Sequence, residues 1–530
     1  MGNAKKLKLF AIVILILIAG ASATAQWTWR VNIDSAGQES IGWASFPRLT
    51  RNARFVVFDS PAPDLVTGDS NGTWDVFLHD RWDRSTRRIS VDSSGNEADG
   101  RSQRAVVSAD GLWIAFESEA SNLVTGDQNR FSDIFLHDVA QATTIRVSRG
   151  VGGVEADSAS IRPVISATGQ FVAFESFASN LVSADTNSVT DVFVHDRLSG
   201  NTVRISVDSS GVQADGPSGT PALDSSGAQI AFTSDATNLV LGDGNGLQDV
   251  FVHDLGTGRT ERVSVSSQGD EALCPGPVDG SGYPAISADG RFVGFSSCAF
   301  NLVPSDTNQK DDVFLHDRLT GQTLRVSQTT AGVDGDGDSR WPALSADGSL
   351  VAFQSFATNL VASDTNGVWD ILLWEKSGKT LRRVSLSSSG VEGNGTSAMA
   401  HLAADGRTVA FQSAATNLVP ADTNNFLDLF VHGSQLTLDT QPLAPQAGGQ
   451  VECHLWEGTP ASPLALFVVG VDGAPVLHLL DYGFFSGASH WSSSYGVPPG
   501  HSGESYTLQA FAFGYGGPVI VSNAQTLTLQ

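Results

Sequence analysis

The chain has 530 residues, of which 41% are hydrophobic and only 16% charged, a balance that excludes a disordered acidic polymer. Its 55 glycines, together with abundant Ser, Thr, Val and Asp, favour strands joined by tight turns and predict an all-β protein. A formal net charge of −25 repels phosphate groups, which excludes nucleic acid and anionic lipid as favoured partners.

The first 25 residues have the features of an export signal. Lys5, Lys6 and Lys8 precede an apolar run over residues 9–18, and Ala-Thr-Ala at 23–25 offers a cleavage site. This run is short for a membrane helix, and no later stretch reaches about 18 consecutive apolar residues. We therefore expect a protein that is secreted, on the cell surface or periplasmic, with no membrane span in the mature chain.

A twelve-residue pattern, Asn-Leu-Val-x-x-Asp-x-Asn-x-x-x-Asp, recurs along most of the chain. The copies are 58 residues apart, except for one step of 63, and only the first copy departs, with Asp64 in place of Asn. Their first aspartates are Asp69, Asp127, Asp185, Asp243, Asp306, Asp364 and Asp422. Seven copies at a fixed period predict seven equivalent structural units.

Each unit contains four predicted strands. In the fifth unit they are 284–287, 291–296, 313–316 and 323–327. Asp289-Gly290 between the first two strands predicts a hairpin turn with positive φ at both residues. Four antiparallel strands in each of seven units predict a seven-bladed β-propeller, with an open solenoid as the alternative.

The two ends of the repeat array favour the closed ring. The seventh unit stops at His432-Gly433 after its third strand, whereas residues 29–37 match the fourth-strand text at 88–95. An N-terminal strand that completes the last blade removes two exposed sheet edges, which a solenoid would leave open. We therefore predict a propeller over residues 26–435, closed by the N-terminal strand.

The sequence of the repeats resembles that of a known family. Ser-Ala-Asp-Gly-Arg-Phe-Val-Gly-Phe at 287–295 and Asp-Val-Phe-Leu-His-Asp at 312–317 are similar to the WD-like repeats of TolB-type propellers, over roughly residues 27–434. The resemblance implies a binding or scaffolding role, although related propellers occur as accessory domains of peptidases and as carbohydrate-active enzymes. The Asp-x-Asn-x-x-x-Asp loop is longer than in TolB itself, so the resemblance is to the repeat.

Residues 436–530 are predicted to form a second domain. Pro442, Pro445 and Gly448-Gly449 mark a linker, and alternating apolar stretches predict a small β-sandwich. This segment resembles the C-terminal sandwich modules of large secreted bacterial proteins, which implies attachment or stabilisation.

The repeated loops are candidate calcium sites. They place oxygen ligands at positions 1, 3 and 7, as in the front half of a calcium loop, and an acidic exported protein suits this cation. In the alternative interpretation these side chains cap turns through backbone N–H groups. The candidate ligands are Asp69, Asn71, Asp75, Asp127, Asn129, Asp133, Asp185, Asn187, Asp191, Asp243, Asn245, Asp249, Asp306, Asn308, Asp312, Asp364, Asn366, Asp370, Asp422, Asn424 and Asp428.

Histidines recur in the third strands but do not indicate zinc. One per blade would lie too far apart to converge on a metal, so we predict that each packs between blades. These residues are His79, His137, His195, His253, His316 and His432, and the sixth unit has Trp374. The aspartates that follow, Asp80, Asp138, Asp196, Asp254 and Asp317, are predicted to fix the next turn.

A ligand site is expected where the repeats differ. The variable position just before the inner strand is predicted to line a central funnel, and it reads Phe46, Arg104, Arg162, Thr220, Tyr283, Trp341 and Met399. The tips of the long loops add Trp74, Phe131, Trp369 and Phe426. Arginines beside aromatic faces suit a sugar or peptide that carries a carboxylate, and loop packing is the alternative.

Three cysteines remain to be placed. Cys274 lies in the five-residue insertion and Cys298 begins the long loop of the same blade, so we predict a disulfide between them, with Cys453 unpaired. No nucleophile elbow, phosphate-binding loop or His-Glu-x-x-His is present in the sequence. The sequence thus predicts a non-catalytic secreted protein that binds a glycan, peptide or protein on its loop face, with calcium as a candidate stabiliser. The alternative is an extracellular polysaccharide hydrolase or lyase with its site in the funnel.

Overall fold

The computed structural model describes residues 26–275, 280–404, 406–420 and 422–433, and beyond these only the backbone of strand segments. The export segment 1–25 lies outside the described residues. Thr28–His432 form one compact unit. This unit contains seven four-stranded antiparallel sheets, which are the blades of a β-propeller.

The blades follow one another along the chain. Blade 1 comprises β2 (Ser45–Leu49), β3 (Phe55–Ser60), β4 (Asp75–Asp80) and β5 (Ser85–Arg88), and blade 2 comprises β6 (Ser102–Val107), β7 (Trp113–Ser118), β8 (Asp133–Asp138) and β9 (Thr143–Arg146). Blade 3 comprises β10 (Ser160–Ile165), β11 (Phe171–Ser176), β12 (Asp191–Asp196) and β13 (Asn201–Arg204), and blade 4 comprises β14 (Ser218–Leu223), β15 (Gln229–Ser234), β16 (Asp249–Asp254) and β17 (Thr260–Arg262). Blade 5 comprises β18 (Ser281–Ile286), β19 (Phe292–Ser297), β20 (Asp312–Asp317) and β21 (Gln322–Arg325), and blade 6 comprises β22 (Ser339–Leu344), β23 (Leu350–Ser355), β24 (Asp370–Glu375) and β25 (Thr380–Arg383). Blade 7 comprises β26 (Ser397–Leu402), β27 (Thr408–Ser413) and β28 (Asp428–Gly433), together with β1 (Trp27–Arg30). A short 3-10 turn lies at Val151–Gly153, and no helix among the described residues is long and apolar enough to cross a membrane.

The N-terminal strand closes the ring, as the sequence predicts. Strand β1 is the outer strand of blade 7, in the order β26, β27, β28, β1. Val31 N donates to Leu429 O at 2.9 Å just beyond the strand, and Thr28 Oγ1 lies 2.9 Å from His432 Nδ1. The predicted propeller is therefore confirmed and the open solenoid is wrong.

The core lies within and between the blades. In blade 1 Phe58 and Phe77 pair across β3 and β4 with ring centroids 5.7 Å apart, and most other blades repeat this pair. Val57 and Val76 of blade 1 pack in one apolar cluster with Ile114 and Phe116 of blade 2. Because each blade packs against its two neighbours, we expect the stability of the ring to depend on its closure.

The third-strand histidines contact the outer strand of their own blade. His137 Nδ1 lies 3.0 Å from Thr144 Oγ1, which donates to Val91 O at the end of the preceding blade. The other five histidines make the same contact with a threonine at 2.8–3.0 Å. These contacts lie within one blade, so packing of the histidines between blades stays a prediction. The turn-fixing role of the following aspartate is confirmed in blade 2, since Asp138 Oδ1 accepts from Ala140 N at 2.9 Å.

Two local predictions were wrong. The inner strand of blade 5 begins at Ser281 and not at residue 284, because it continues through a β-bulge at Tyr283. In the Asp289-Gly290 turn only the glycine has positive φ, at 72°. The loop is longer than a two-residue hairpin, and Ser287 N and Gly290 N close it by donating to Phe292 O and Ser287 O, both at 2.9 Å.

The chain beyond Gly433 belongs to a second unit. Its strand segments are β29 (Thr437–Gln441), β30 (Gln450–Trp456), β31 (Pro463–Val471), β32 (Ala474–Phe484), β33 (His490–Gly496), β34 (Ser505–Phe513), β35 (Val519–Val521) and β36 (Gln525–Thr528). The packing of a β-sandwich and the state of Cys453 depend on side chains outside the described residues, so both stay predictions.

Candidate ligand-binding site

The variable position of the inner strands lies at the centre of the ring. Its seven side chains all line a central cavity of about 320 Å³. Each of these residues has a positive φ, between 44° and 60°, because each sits in a β-bulge of its inner strand. The bulge changes the direction of the strand locally and puts the variable side chain of every blade into the central cavity.

Most bulges are capped by the preceding blade. Arg104 N and Ala105 N donate to the two carboxylate oxygens of Asp59, at 2.5 and 3.2 Å. Glu117 accepts from Arg162 N at 2.7 Å and Glu175 from Thr220 N at 3.2 Å. Gln412, Ser296 and Gln354 cap Phe46, Trp341 and Met399 in the same way. The capping residue is thus an acid in three successive blades and neutral in these three others.

The two arginines at the bulge positions, Arg104 and Arg162, are paired with capping acids. Arg162 Nη1 lies 2.9 Å from Glu175 Oε2, and Arg104 Nε lies 3.5 Å from Glu117 Oε1. The guanidinium of Arg104 also lies over the ring of Phe46, 4.9 Å from its centroid. Their charge is therefore largely neutralised within the protein, which weakens the predicted role of Arg104 and Arg162 as carboxylate receptors.

Asp59 has an unusually high pKa because its side chain is fully buried. Burial raises the pKa of Asp59 to about 7, although its hydrogen bonds from Arg104 N and Ala105 N act in the opposite direction. An aspartate has an ordinary pKa of about 3.9 in the unfolded chain, so the folded protein holds this proton where the unfolded chain does not.

We predict a pH-dependent contribution from this residue. Protonation of Asp59 stabilises the fold fully below its ordinary pKa, and this contribution is lost as the pH rises through about 7. Between pH 5 and 8 the free energy of unfolding of the wild type should therefore fall by about 2 kcal/mol relative to Asp59→Asn, which cannot titrate there. Urea unfolding of both proteins across this range measures the difference, and parallel curves would contradict the assignment.

Aromatic residues line the side of the central cavity opposite the arginines. Tyr283 and Trp341 of blades 5 and 6 form a tilted pair with ring centroids 5.1 Å apart, and Tyr283 is 44% exposed. The predicted asymmetry of the funnel is thus present in the structure, with arginines in blades 2 and 3 and aromatic rings in blades 5 and 6.

A larger cleft lies over blades 3 to 6 on the face that carries the long loops. Its volume is about 860 Å³, and it shares Arg162, Thr220 and Tyr283 with the central cavity. Arg340 Nη2 pairs with Asp311 Oδ2 at 2.5 Å, and Gln248 Nε2 donates to Asp235 Oδ1 at 3.1 Å. The other polar side chains of its wall include Glu175, Thr190, Thr233 and Ser296. This cleft combines one exposed ring with many hydrogen-bonding groups.

The loop tips do not join this cleft. Trp74 lies beneath the guanidinium of Arg101 at 5.4 Å, and Trp369 packs against Phe356 with centroids 5.8 Å apart. Phe131 is 41% exposed and its backbone N–H donates to Asn129 Oδ1. None of the three lines either cavity in the described part of the chain. Trp74 and Trp369 thus contact neighbouring side chains, and the ligand-binding role of all three residues stays a prediction.

The disulfide predicted from the sequence borders the cleft. Cys274 and Cys298 are joined with Cα atoms 5.3 Å apart, and Cys298 is part of the cleft wall. It connects the insertion before blade 5 to the loop that follows β19 and so limits movement at this edge of the cleft.

The repeated loops enclose an arginine. In blade 2 Arg146 Nη1 lies 3.1 Å from Asp127 Oδ1, 3.2 Å from Asp133 Oδ2 and 3.1 Å from Glu155 Oε1. The guanidinium thus occupies the centre of the predicted calcium ligands. Asn129 Nδ2 donates to Asp133 Oδ2 at 3.0 Å and, at 3.2 Å, to Ala156 O, where it caps the loop.

All seven blades contain this arrangement. The first aspartate of each loop lies 3.1–3.5 Å from the arginine and the last aspartate 2.8–3.7 Å from it. The arginines are Arg30, Arg88, Arg146, Arg204, Arg262, Arg325 and Arg383, and nine residues after each lies Glu39, Glu97, Glu155, Gln213, Glu271, Asp334 or Glu392. Blade 7 takes Arg30 from the N-terminal strand, so closure of the ring also completes its loop.

The acids around each arginine outnumber it. Burial and the neighbouring carboxylates raise the pKa of Asp127 to about 6, although Arg146 lowers it. The pKa of Glu155 is lowered, first by the hydrogen bond from Gln128 N. Among the described residues no three His, Cys, Asp or Glu side chains are arranged to hold a metal ion. The calcium hypothesis stays untested, and a bound ion would have to compete with the arginine that already lies among its proposed ligands.

Sequence reasoning missed the central arginine although a signal for it exists. In six units the arginine follows the first aspartate of the loop by 19 residues, for example Asp127 and Arg146. It also missed the bulge-capping acids Asp59, Glu117 and Glu175, because the position before the last serine of the second strand varies between units as surface residues do.

The fold places the chain among seven-bladed β-propellers. No protein-family model matches the chain, and no curated protein matches it. Among solved structures it is similar to a protein described as TolB from Agrobacterium tumefaciens, with 13% identity and a TM-score of 0.34 over 57% of this chain and 84% of that one.

Two further solved structures are similar to parts of the chain. An acylaminoacyl peptidase has 12% identity and a TM-score of 0.45 over 79% of this chain and 59% of that one. The WD40 repeats of RRP9 have 9% identity and a TM-score of 0.39 over 78% of this chain and 98% of that one. At such identities the likeness concerns the fold alone.

Proposed function

We propose that this protein is an exported binding protein that holds a segment of a carbohydrate chain in the cleft of its loop face, without catalysis. The observation that carries the proposal is the cleft itself, since about 860 Å³ accommodates a few sugar units. Export follows from the N-terminal segment, and a C-terminal β-sandwich would serve for attachment.

The wall of the cleft suits a ligand rich in hydroxyl groups. Its charged groups are mostly paired within the protein, as Arg162 is with Glu175 and Arg340 with Asp311. Hydroxyl and amide groups also line this wall. Thr233 Oγ1 donates to Gly219 O and Gln248 Nε2 donates to Asp235 Oδ1, so a ligand would use the other hydrogen-bonding positions of such groups, for example Gln248 Oε1. The exposed ring of Tyr283 offers an apolar face on which a sugar ring can stack.

The acids nearest the centre are poor candidates for general acid or base catalysis. Asp59, Glu117 and Glu175 each accept a backbone hydrogen bond that fixes the next blade. This arrangement supports binding over the alternative of a polysaccharide hydrolase or lyase.

Binding of the full chain to an array of extracellular polysaccharides and oligosaccharides tests the proposal. For the best ligand we expect Tyr283→Ala and Gln248→Ala to weaken binding about tenfold, because each removes a contact in the cleft. Leu319→Ala is the matched control, since Leu319 is 74% exposed and lies at the opposite end of β20. Binding that the cleft variants leave unchanged contradicts the site, and release of reducing ends or unsaturated sugars supports the enzymatic alternative.

A further inference from the structure

A second arginine position breaks the repeat inside the central cavity. Arg48 lies on the inner strand of blade 1, two residues after the bulge at Phe46, and it lines the cavity. The same position in blades 2 to 7 is occupied by Val106, Val164, Ala222, Ala285, Ala343 and His401. A permanent cation thus stands in blade 1 at a position that is small and apolar in blades 2 to 6 and histidine in blade 7.

Arg48 is not paired with an acid. Its Nη1 donates to Pro47 O at 3.1 Å, and among the described residues no carboxylate oxygen lies within 4.0 Å of its nitrogen atoms. The charge of Asp59 raises the pKa of Arg48, but both oxygens of Asp59 accept from the backbone of blade 2. Arg48 differs in this respect from Arg104 and Arg162, which have carboxylate partners.

The described neighbours of Arg48 form no close ion pair with it, and only the attraction of Asp59 offsets its positive charge. Burial lowers the pKa of Arg48, Asp59 raises it and Arg104 lowers it, yet a guanidinium keeps its proton at any ordinary pH. His401 is neutral beside it, because Nδ1 accepts from Leu49 N at 3.1 Å and burial and Arg48 lower the pKa of the ring to about 3. A partly dehydrated cation of this kind gains free energy when an anion reaches it.

The rest of the cavity limits the size and character of that anion. Its volume of about 320 Å³ lies near the lower end of small-molecule sites. Trp341, Tyr283 and Pro342 line the wall in blades 5 and 6, and Met399 lies beside blade 1. These surfaces suit the faces of one ring, and the planar fork of Arg48 suits a carboxylate.

We propose that the central cavity binds a small organic carboxylate of about one ring in size, with the carboxylate on Arg48 and the ring against Trp341 and Tyr283. This inference goes beyond the carbohydrate cleft and does not rest on it, because the anion site depends on a residue that the cleft does not contain.

Calorimetric titration of the full chain with matched pairs of probes tests the proposal. Glucuronate is compared with glucuronamide, and benzoate with benzamide, so that the members of each pair have nearly the same shape and differ only in carrying a carboxylate or a neutral amide. We expect at least one acid to bind and its amide to bind about tenfold more weakly or not at all. The pair that binds distinguishes a sugar acid from an aromatic acid.

Variants locate the site. Arg48→Gln should abolish the difference between acid and amide, Arg48→Lys should retain part of it, and Arg340→Gln in the cleft should leave it unchanged. Met399→Glu is a second variant that places an intramolecular carboxylate at the cavity wall beside blade 1 and should compete with the acid. Absence of binding by any acid at millimolar concentration overturns the proposal. So does binding that folded Arg48→Gln or Met399→Glu retains, or binding that is lost in Arg340→Gln.

Discussion

Arg146→Met is expected to lower the free energy of unfolding by about 3 kcal/mol, because removal of one partner leaves buried charges uncompensated. Asp133 is fully buried and the side chain of Asp127 is 5% exposed, so neither carboxylate can regain full hydration when the guanidinium is absent. The loss should be smaller at pH 5 than at pH 7.5, since the pKa of Asp127 is already raised to about 6 and protonation removes one of the unpaired charges.

Urea unfolding of the full chain at both pH values measures this effect. Arg259→Met is the matched control, because the side chain of Arg259 is 69% exposed and its pair with Glu261 is worth less than about 1 kcal/mol. Addition of Asp127→Asn to Arg146→Met should restore part of the stability by removing one unpaired carboxylate. If Arg146→Met unfolds at the same urea concentration as the control, the arginine does not stabilise the loop.

Deletion of the N-terminal strand is expected to have the largest effect on the fold. A chain that starts at residue 31 lacks β1, so β28 becomes an exposed edge and blade 7 loses Arg30, whose Nη1 lies 2.8 Å from Asp428 Oδ2. Asp422 and Asp428 then have no cation in their loop, and the last blade has no covalent connection through its sheet to blade 1. We expect a loss of more than about 5 kcal/mol, a large part of the stability of an ordinary domain.

A chain that starts at residue 26 is the control for this deletion. It retains β1 and should elute as a monodisperse species with a single cooperative transition in urea. The shorter chain should aggregate or unfold at a much lower urea concentration. Equal transition midpoints for the two chains would show that closure by β1 contributes little.

The architecture could be predicted because each repeat carries the same information. The units repeat at a 58-residue period, and the seventh unit lacks its fourth strand after His432, whereas the matching sequence stands before Ser45. These two observations leave few alternatives to a closed ring. The interpretation of the histidines as packing residues followed from geometry, since one residue per blade cannot converge on a metal. These inferences depend on spacing along the chain, which a sequence shows directly.

The site was less accessible to sequence reasoning because it depends on contacts between blades. The bulge at Arg104 is capped by Asp59, 45 residues earlier, which accepts its backbone N–H. Sequence reasoning identified Arg104 and Arg162 correctly as residues of the funnel, yet it could not tell that Glu117 and Glu175 neutralise them. Arg48 could not be identified from the sequence as a binding residue, because only the structure distinguishes an arginine that has a carboxylate partner from one that has none.

The most direct test of this account concerns the cation at the centre of the seven loops that support the binding face. Calcium is titrated calorimetrically into metal-free protein comprising residues 26–530, and thermal unfolding is recorded with and without chelator. With arginine as the loop cation, the wild type should bind no calcium at micromolar concentration and its melting temperature should not respond to chelator. Several bound ions per chain and a melting temperature that falls in chelator would contradict the account and establish the Asp and Asn side chains of the loops as calcium ligands.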